Sequence, residues 1–180
     1  MKKSSILKIT SAAVMTALIT VLTMIVNVPS PTKGYFNLGD PAVLFAGWLL
    51  GPIWGPVAGG LGSAFADFFA GYPVYAPVTF IIKALMALIV SLASRFFADD
   101  GKILLRIVFL AAAIVAEALM IGGYYLYEAI VLGEGFIAAL AGVAGNAVQG
   151  AVGIVGSYIL IESLSHTGVF KYYGARGFAK

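Results

Sequence analysis

From Ile6 to Val26 the chain runs for about 20 residues with one charged side chain, Lys8, which is long enough to cross the hydrocarbon core of a bilayer as a helix. Comparable apolar runs recur to the end of the sequence, separated by short segments rich in Pro, Gly, Asp or Tyr. Of the 180 residues 61% are hydrophobic and only 11% charged, and mean hydropathy is +1.01. A water-soluble domain would carry about a quarter charged residues, so the pattern dictates an integral membrane protein. The 22 glycines and the Ala-rich runs suit closely packed membrane helices. A membrane barrel would instead alternate apolar and polar residues along each strand. The expected fold is all-α, a single transmembrane domain over residues 1–180.

Several function classes fall away at once. Without cysteine there is no disulfide framework, thiol nucleophile or thiolate metal site. The lone histidine, His166, sits near the C-terminus, and one histidine without cysteine makes a poor zinc site. A net charge of +3 with no basic stripe gives nucleic acid nothing to bind. Met1-Lys2-Lys3 before an apolar run imitates a signal peptide, but the run is of membrane-spanning length and no small-x-small cleavage site follows, so it reads as a retained first helix.

The punctuation predicts six helices. The first covers Ser5 to Val26 and stops before Asn27-Val28-Pro29-Ser30-Pro31, whose prolines cannot continue it. A polar loop from Thr32 to Asp40 leads to Pro41 in a first helical turn, with Asp40 as the expected N-cap. The second helix, Pro41 to Leu50, is too short to span and is expected to tilt or to join further residues across Gly51-Pro52. Gly55–Ala70, Val78–Phe97, Leu104–Tyr127 and Phe136–Leu164 complete the set, with Asp99-Asp100-Gly101-Lys102 as a solvated loop. With the N-terminus inside, Lys2, Lys3, Lys8, Arg95, Lys102, Arg106, Lys171, Arg176 and Lys180 fall on the cytoplasmic side, nine of the 11 basic residues. Lys33 lies in an outer loop and Lys83 within a helix, so the positive-inside rule places both termini in the cytoplasm.

Gly55, Gly59, Ser63, Asp67 and Gly71 recur every four residues and share one helix face, which lets a neighbouring helix approach closely. Asp67 on that stripe and Lys83 in the next helix lie at similar depth. Charge inside an apolar segment is costly and points to a functional site, and an Asp67–Lys83 ion pair pinning two helices accounts for the same residues.

Outer loops and helix ends collect Tyr35, Asn37, Asp40, Asp67, Tyr72, Tyr75, Tyr124, Tyr125, Tyr127, Glu128 and Glu134. Interfacial tyrosine is ordinary; deeper polar groups are not. At 1.5 Å per residue Glu117 lies roughly 15 Å below the outer end of its helix, and Asn146 and Gln149 lie at about 13–18 Å. Glu117, Tyr124 and Glu128 share one face, and Gly142, Gly145, Gly150, Gly153 and Gly156 leave room beside Asn146 and Gln149. Together they describe an outward-open cavity with a polar floor, or a set of interhelical hydrogen bonds that satisfies the same groups.

These residues resemble the substrate-binding S components of energy-coupling factor (ECF) vitamin transporters. The likeness rests on the six-helix size, on Ala13-Val14-Met15-Thr16-Ala17 (an AxxxA motif), and on Gly34-Tyr35-Phe36-Asn37-Leu38-Gly39-Asp40. It rests further on Gly62-Ser63-Ala64-Phe65-Ala66-Asp67 and on Gly71-Tyr72-Pro73 with Ala76-Pro77 and Ile81-Ile82-Lys83. The last three groups look like the branch that includes riboflavin, hydroxymethylpyrimidine and pyridoxine transporters. The resemblance implies a vitamin-binding cavity near the outer face, capped by the loop at 27–41. Tyr35, Asn37, Asp67, Tyr72, Tyr75, Lys83, Glu117, Tyr124, Glu128, Asn146 and Gln149 are the candidate binding residues.

It also implies docking, through Ala13 and Ala17, on a membrane-embedded coupling (T) subunit driven by two cytosolic ATPases. No Gly-x4-Gly-Lys-Ser/Thr pattern occurs here, so ATP hydrolysis is expected only in partner chains, and no cofactor or metal is expected. A carboxylate at the floor favours a neutral or weakly basic ring such as pyridoxine or hydroxymethylpyrimidine, with riboflavin as the alternative. Two readings from other classes are weighed against this. A stand-alone channel or secondary transporter would show an internal repeat or broken helices. An aspartyl enzyme would have to use Asp40 and Asp67.

Overall fold

The computed structural model describes residues 3–32, 34–97, 101–175 and 177–178. Its elements are α1 (Lys3–Ile25), β1 (Asn27–Pro29), β2 (Tyr35–Asn37), α2 (Asp40–Phe69), α3 (Ala76–Phe96), α4 (Lys102–Leu126), α5 (Phe136–Ser165) and α6 (Val169–Tyr173). One π-helical turn, Tyr127–Val131, extends α4. The loop at 27–41 is more ordered than the sequence suggests. Asn27, Val28 and Pro29 pair antiparallel with Asn37, Phe36 and Tyr35, folding the segment into a small hairpin. Lys102 opens α4 behind the N-cap Gly101 instead of closing a loop. Lys2, Lys33, Asp99, Asp100, Arg176 and Lys180 lie outside the described residues.

The two helices expected at Pro41–Leu50 and Gly55–Ala70 form one element, α2, folded back on itself at Gly51. There φ is 83° and ψ −173°, a conformation that glycine adopts and L side chains avoid. A Cβ on Gly55 would lie 2.8 Å from Gly47 Cα, and one on Gly59 would lie 3.2 Å from Val43 Cγ1. Both pairs are equidistant in sequence from Gly51, so limbs 40–50 and 52–69 run antiparallel in close contact. The first limb, about 16 Å long, is buried from Ala42 to Leu50. Its uniformly apolar sequence is what a helix enclosed on all sides requires. Among the described residues five helices are long and apolar enough to cross a membrane, and the fold-back of α2 makes six helical segments of them.

The small-residue stripe serves close packing, as its spacing implies. The second limb of α2 approaches α3 at Gly59, where a Cβ would meet Lys83 O at 3.2 Å, and α1 at Gly62, where it would meet Thr16 O at 2.8 Å. Thr20 Oγ1 donates to Gly62 O (2.8 Å) across the second contact. Gly71 is different: nothing lies within 4 Å of its Cβ position, and its φ of 88° makes the turn into α3.

Residues near the start of α1 and after α5 meet at one end of the bundle. Ser11 Oγ and Tyr173 OH hydrogen-bond at 2.6 Å, and Arg95 donates to the carbonyls of Tyr173 and Gly174. Phe178 is fully buried there against Trp48 and Phe109. The opposite end carries the hairpin, the 70–75 turn and the π-helical turn. Around the bundle Val14, Ile53, Phe68, Ile103 and Ile137 are exposed, which suits an apolar solvent.

Candidate functional site

The hairpin lies across the bundle end and is clamped there to several helices. Tyr35 stacks against Tyr72 with ring centroids 4.6 Å apart, and its hydroxyl donates to Asp67 Oδ1 on α2 (2.6 Å). The backbone N–H of Asn37 donates to Gln149 Oε1 on α5 (2.8 Å). Thr32 Oγ1 donates to Glu128 Oε1 on the π-helical turn (2.9 Å), and Tyr75 OH donates to the same oxygen (3.2 Å). The Phe36 ring lies flat on Gly145, where a Cβ would come within 2.0 Å of it. Gly145 is glycine because the hairpin's aromatic residue occupies the space of its side chain.

Beneath this cap is a cavity walled by Asp67, Tyr75, Thr79, Tyr124, Glu128, Asn146 and Gln149 and roofed by Ser30 and residues 34–37. Its free space is about 20 Å³, room for about one water molecule. Burial, reinforced by the Asp67 carboxylate, pushes the Tyr35 phenol above its ordinary value. Burial and then Glu128 do the same for Tyr75. Both phenols therefore stay protonated and act as donors to those carboxylates.

A second polar layer lies under the first. Gln149 Nε2 donates to Asp40 Oδ2 (2.7 Å), and Lys83 Nζ forms an ion pair with Asp40 Oδ1. Neither Lys83 nor Asp40 is more than 2% exposed. Lys83 Nζ also sits 5.8 Å from the centroid of the Tyr124 ring. Glu117, 3% exposed, fills the space left by Gly153, where a Cβ would come within 2.2 Å of its Oε1 and 3.0 Å of Asp40 Cβ. Gln149 therefore joins the cap to the buried ion pair. Replacing it with leucine orphans both the Asn37 N–H and Asp40 Oδ2. At about 1–3 kcal/mol for each orphaned buried group, hydrogen exchange of the amides in 27–37 is expected to accelerate well beyond that of the α2 core.

Two expectations need correction. Lys83 pairs with Asp40 and not with Asp67, whose Oδ1 is taken by Tyr35. Asp40 is not an N-cap at the outer rim: Gly39 occupies that position without a side-chain cap, and Asp40 points inward to Lys83 and Gln149. Sequence offered Lys83 one carboxylate at comparable depth, Asp67, and only the reversal of α2 brings Asp40 to it instead.

Eight of the candidate residues line the cavity: Tyr35, Asn37, Asp67, Tyr75, Tyr124, Glu128, Asn146 and Gln149. Tyr72 stands behind Tyr35, while Lys83 and Glu117 belong to the lower layer. Ser30, Gly34, Phe36 and Thr79 line it without having been singled out. Phe36 could have been found from its position between Tyr35 and Asn37 and the run of glycines on α5. Tyr125 and Tyr127 donate instead to Phe136 O and Val74 O, fastening turns together. Among the described residues no three His, Asp or Glu side chains are placed to hold a metal.

Comparison with known proteins gives three findings. Residues 3–166 match the family model described as ECF-type riboflavin transporter, S component. A Pyrococcus woesei protein described as an uncharacterized protein in the gap 3' region is 36% identical over 138 residues, covering 76% of this chain and 87% of that one. The crystal structure of the S-component for biotin from an ECF-type ABC transporter superposes with a TM-score of 0.59. That match covers 99% of this chain and 96% of the other at 16% identity, a likeness of fold.

Proposed function

Because the chain belongs to the family of ECF-type riboflavin transporter S components, which bind substrate for a transporter and are not enzymes, we propose that it is the vitamin-binding subunit of an ATP-driven importer. The observation that supports this best is the capped cavity, with aromatic walls and a polar floor at the bundle end away from the termini. Its free space of about 20 Å³ is far below the roughly 300 Å³ or more of a usual ligand pocket, so the hairpin lifts to admit the ligand and closes over it. The binding end faces outward, and both termini lie in the cytoplasm of a cell-membrane protein.

The favoured ligand is a pyridine or pyrimidine vitamin or precursor, pyridoxine or hydroxymethylpyrimidine. Its ring would stack on Tyr35, Tyr75 and Tyr124, and Asn146 and Gln149 would read its polar edge. Riboflavin is the second reading, favoured by the description of the matching family. The partners are a membrane-embedded coupling subunit and two cytosolic ATPases. Ala13 and Ala17 suit docking because both are exposed on α1 and their small side chains admit a crossing helix.

Uptake of labelled vitamin tests the assignment in cells supplied with this chain, a coupling subunit and the ATPases. Uptake should require all of them. Ala13→Leu with Ala17→Leu should lower it at least about tenfold, the effect of roughly 1.4 kcal/mol of docking energy, while vitamin binding by the purified variant is unchanged. Full uptake by this chain without ATPases would count against the importer reading and favour a stand-alone transporter.

A further inference from the structure

The cavity walls hold two carboxylates, Asp67 and Glu128, and among the described lining residues no Lys, Arg or His. Lys83, the one buried basic side chain among the described residues, is turned away to Asp40 in the layer beneath. The phenol and hydroxyl donors bonded to the two carboxylates reach one oxygen of each. Tyr35 OH donates to Asp67 Oδ1, and Thr32 and Tyr75 both donate to Glu128 Oε1. Thr79 Oγ1 and Tyr124 OH hydrogen-bond to each other at 3.0 Å.

Each carboxylate keeps its second oxygen, Asp67 Oδ2 and Glu128 Oε2, buried without a donor. Asp67 is 4% exposed and Glu128 3%, so neither oxygen is served by bulk solvent. Unpaired carboxylate oxygens in a low-dielectric site are costly, and the cost is offset when a cation or strong donor meets them. The phenol rings add to this preference, because a cation over an aromatic face is attracted by the ring quadrupole.

Resting on the vitamin-binding role proposed above, we infer that the cavity selects a small aromatic ligand that bears a positively charged nitrogen, taken up between Asp67 and Glu128. Anionic vitamins are excluded by the same two groups. A neutral ring binds through stacking and the Asn146 and Gln149 amides without that charge contact, and more weakly.

The test is competitive calorimetry on the purified full-length chain with three ligands that share one ring and differ in charge. These are pyridoxamine with its ammonium group, pyridoxine with a hydroxyl, and 4-pyridoxate with a carboxylate; thiamine and riboflavin serve as a second cationic and neutral pair. Pyridoxamine should bind at least about tenfold tighter than pyridoxine, the effect of a single net charge contact of roughly 1.4 kcal/mol, and pyridoxate should not bind. In the variant carrying Asp67→Asn and Glu128→Gln the ratio of pyridoxamine to pyridoxine affinity should fall to about one. Tight binding of pyridoxate, or of riboflavin or pyridoxine in preference to every cationic ligand, overturns the charge selection and leaves the S-component role standing. A double variant that keeps the preference for the cation also overturns it. Binding of none of these vitamins, nor of hydroxymethylpyrimidine, removes the vitamin-binding role and the selection with it. The series on the unmodified chain decides the matter even where the double variant fails to fold.

Discussion

Replacing Lys83 with methionine is expected to destabilise the folded protein by about 3–5 kcal/mol, the usual cost of leaving one member of a buried ion pair uncompensated. The side chains are of similar length, so little packing is lost and the effect isolates the charge. Asp40 would keep the Gln149 amide as a donor but lose its counter-ion, with Glu117 close by adding a second acid. Thermal unfolding in detergent should show a midpoint about 10 °C lower, at roughly 2–4 °C per kcal/mol for a chain of this size. Adding Asp40→Leu should recover more than half of the loss, because removing both charges removes the uncompensated one. Asp67→Leu in the same background should recover nothing. That contrast separates the observed pairing from the one the sequence suggested.

The second large effect is expected at Gly47. A Cβ there would lie 2.4 Å from Ala87 O and 2.8 Å from Ala87 Cα, both backbone atoms of α3. On the other side of α2, a Cβ on Gly55 would already lie 2.8 Å from Gly47 Cα. Neither neighbour can turn aside as a flexible side chain would. Gly47→Val must therefore push α3 away or open the two limbs of α2, with the loss of packed contacts that overfilled sites show, of order 3 kcal/mol or more. Size-exclusion chromatography of the purified variant should show little monodisperse protein. Gly71→Ala is the control. It meets nothing within 4 Å and carries only the strain of a positive φ, about 1–2 kcal/mol, so it should remain folded.

The sequence made the membrane architecture plain because each apolar run is both long and nearly free of charge, and no soluble fold accommodates that. Helix termini followed Pro, Gly and Asp closely. It did not disclose the reversal at Gly51: a glycine flanked by Pro52 reads equally as a kink, a loop or a helix end, and only contacts such as Gly47 with Gly55 resolve it. Most residues that line the cavity were legible by depth, since polar side chains gathered toward one end of a membrane bundle converge. Their pairing was not. Asp40 looked like a cap because it precedes Pro41, and its inward turn depends on Lys83 and Gln149 arriving from helices far along the chain. Thr32 and Phe36 escaped notice for a related reason, since a loop's contacts follow from the hairpin it forms and not from periodicity.

Calorimetric titration of the purified chain, alone in detergent, tests the central claim most directly. The ligands are pyridoxine, hydroxymethylpyrimidine, riboflavin, thiamine and pantothenate. The account predicts saturable binding of at least one heteroaromatic vitamin at sub-micromolar concentration, with one site per chain and slowed hydrogen exchange in residues 27–37 as the cap closes. Absence of saturable binding for every heteroaromatic member of the set, from protein that remains folded and monodisperse, would contradict it.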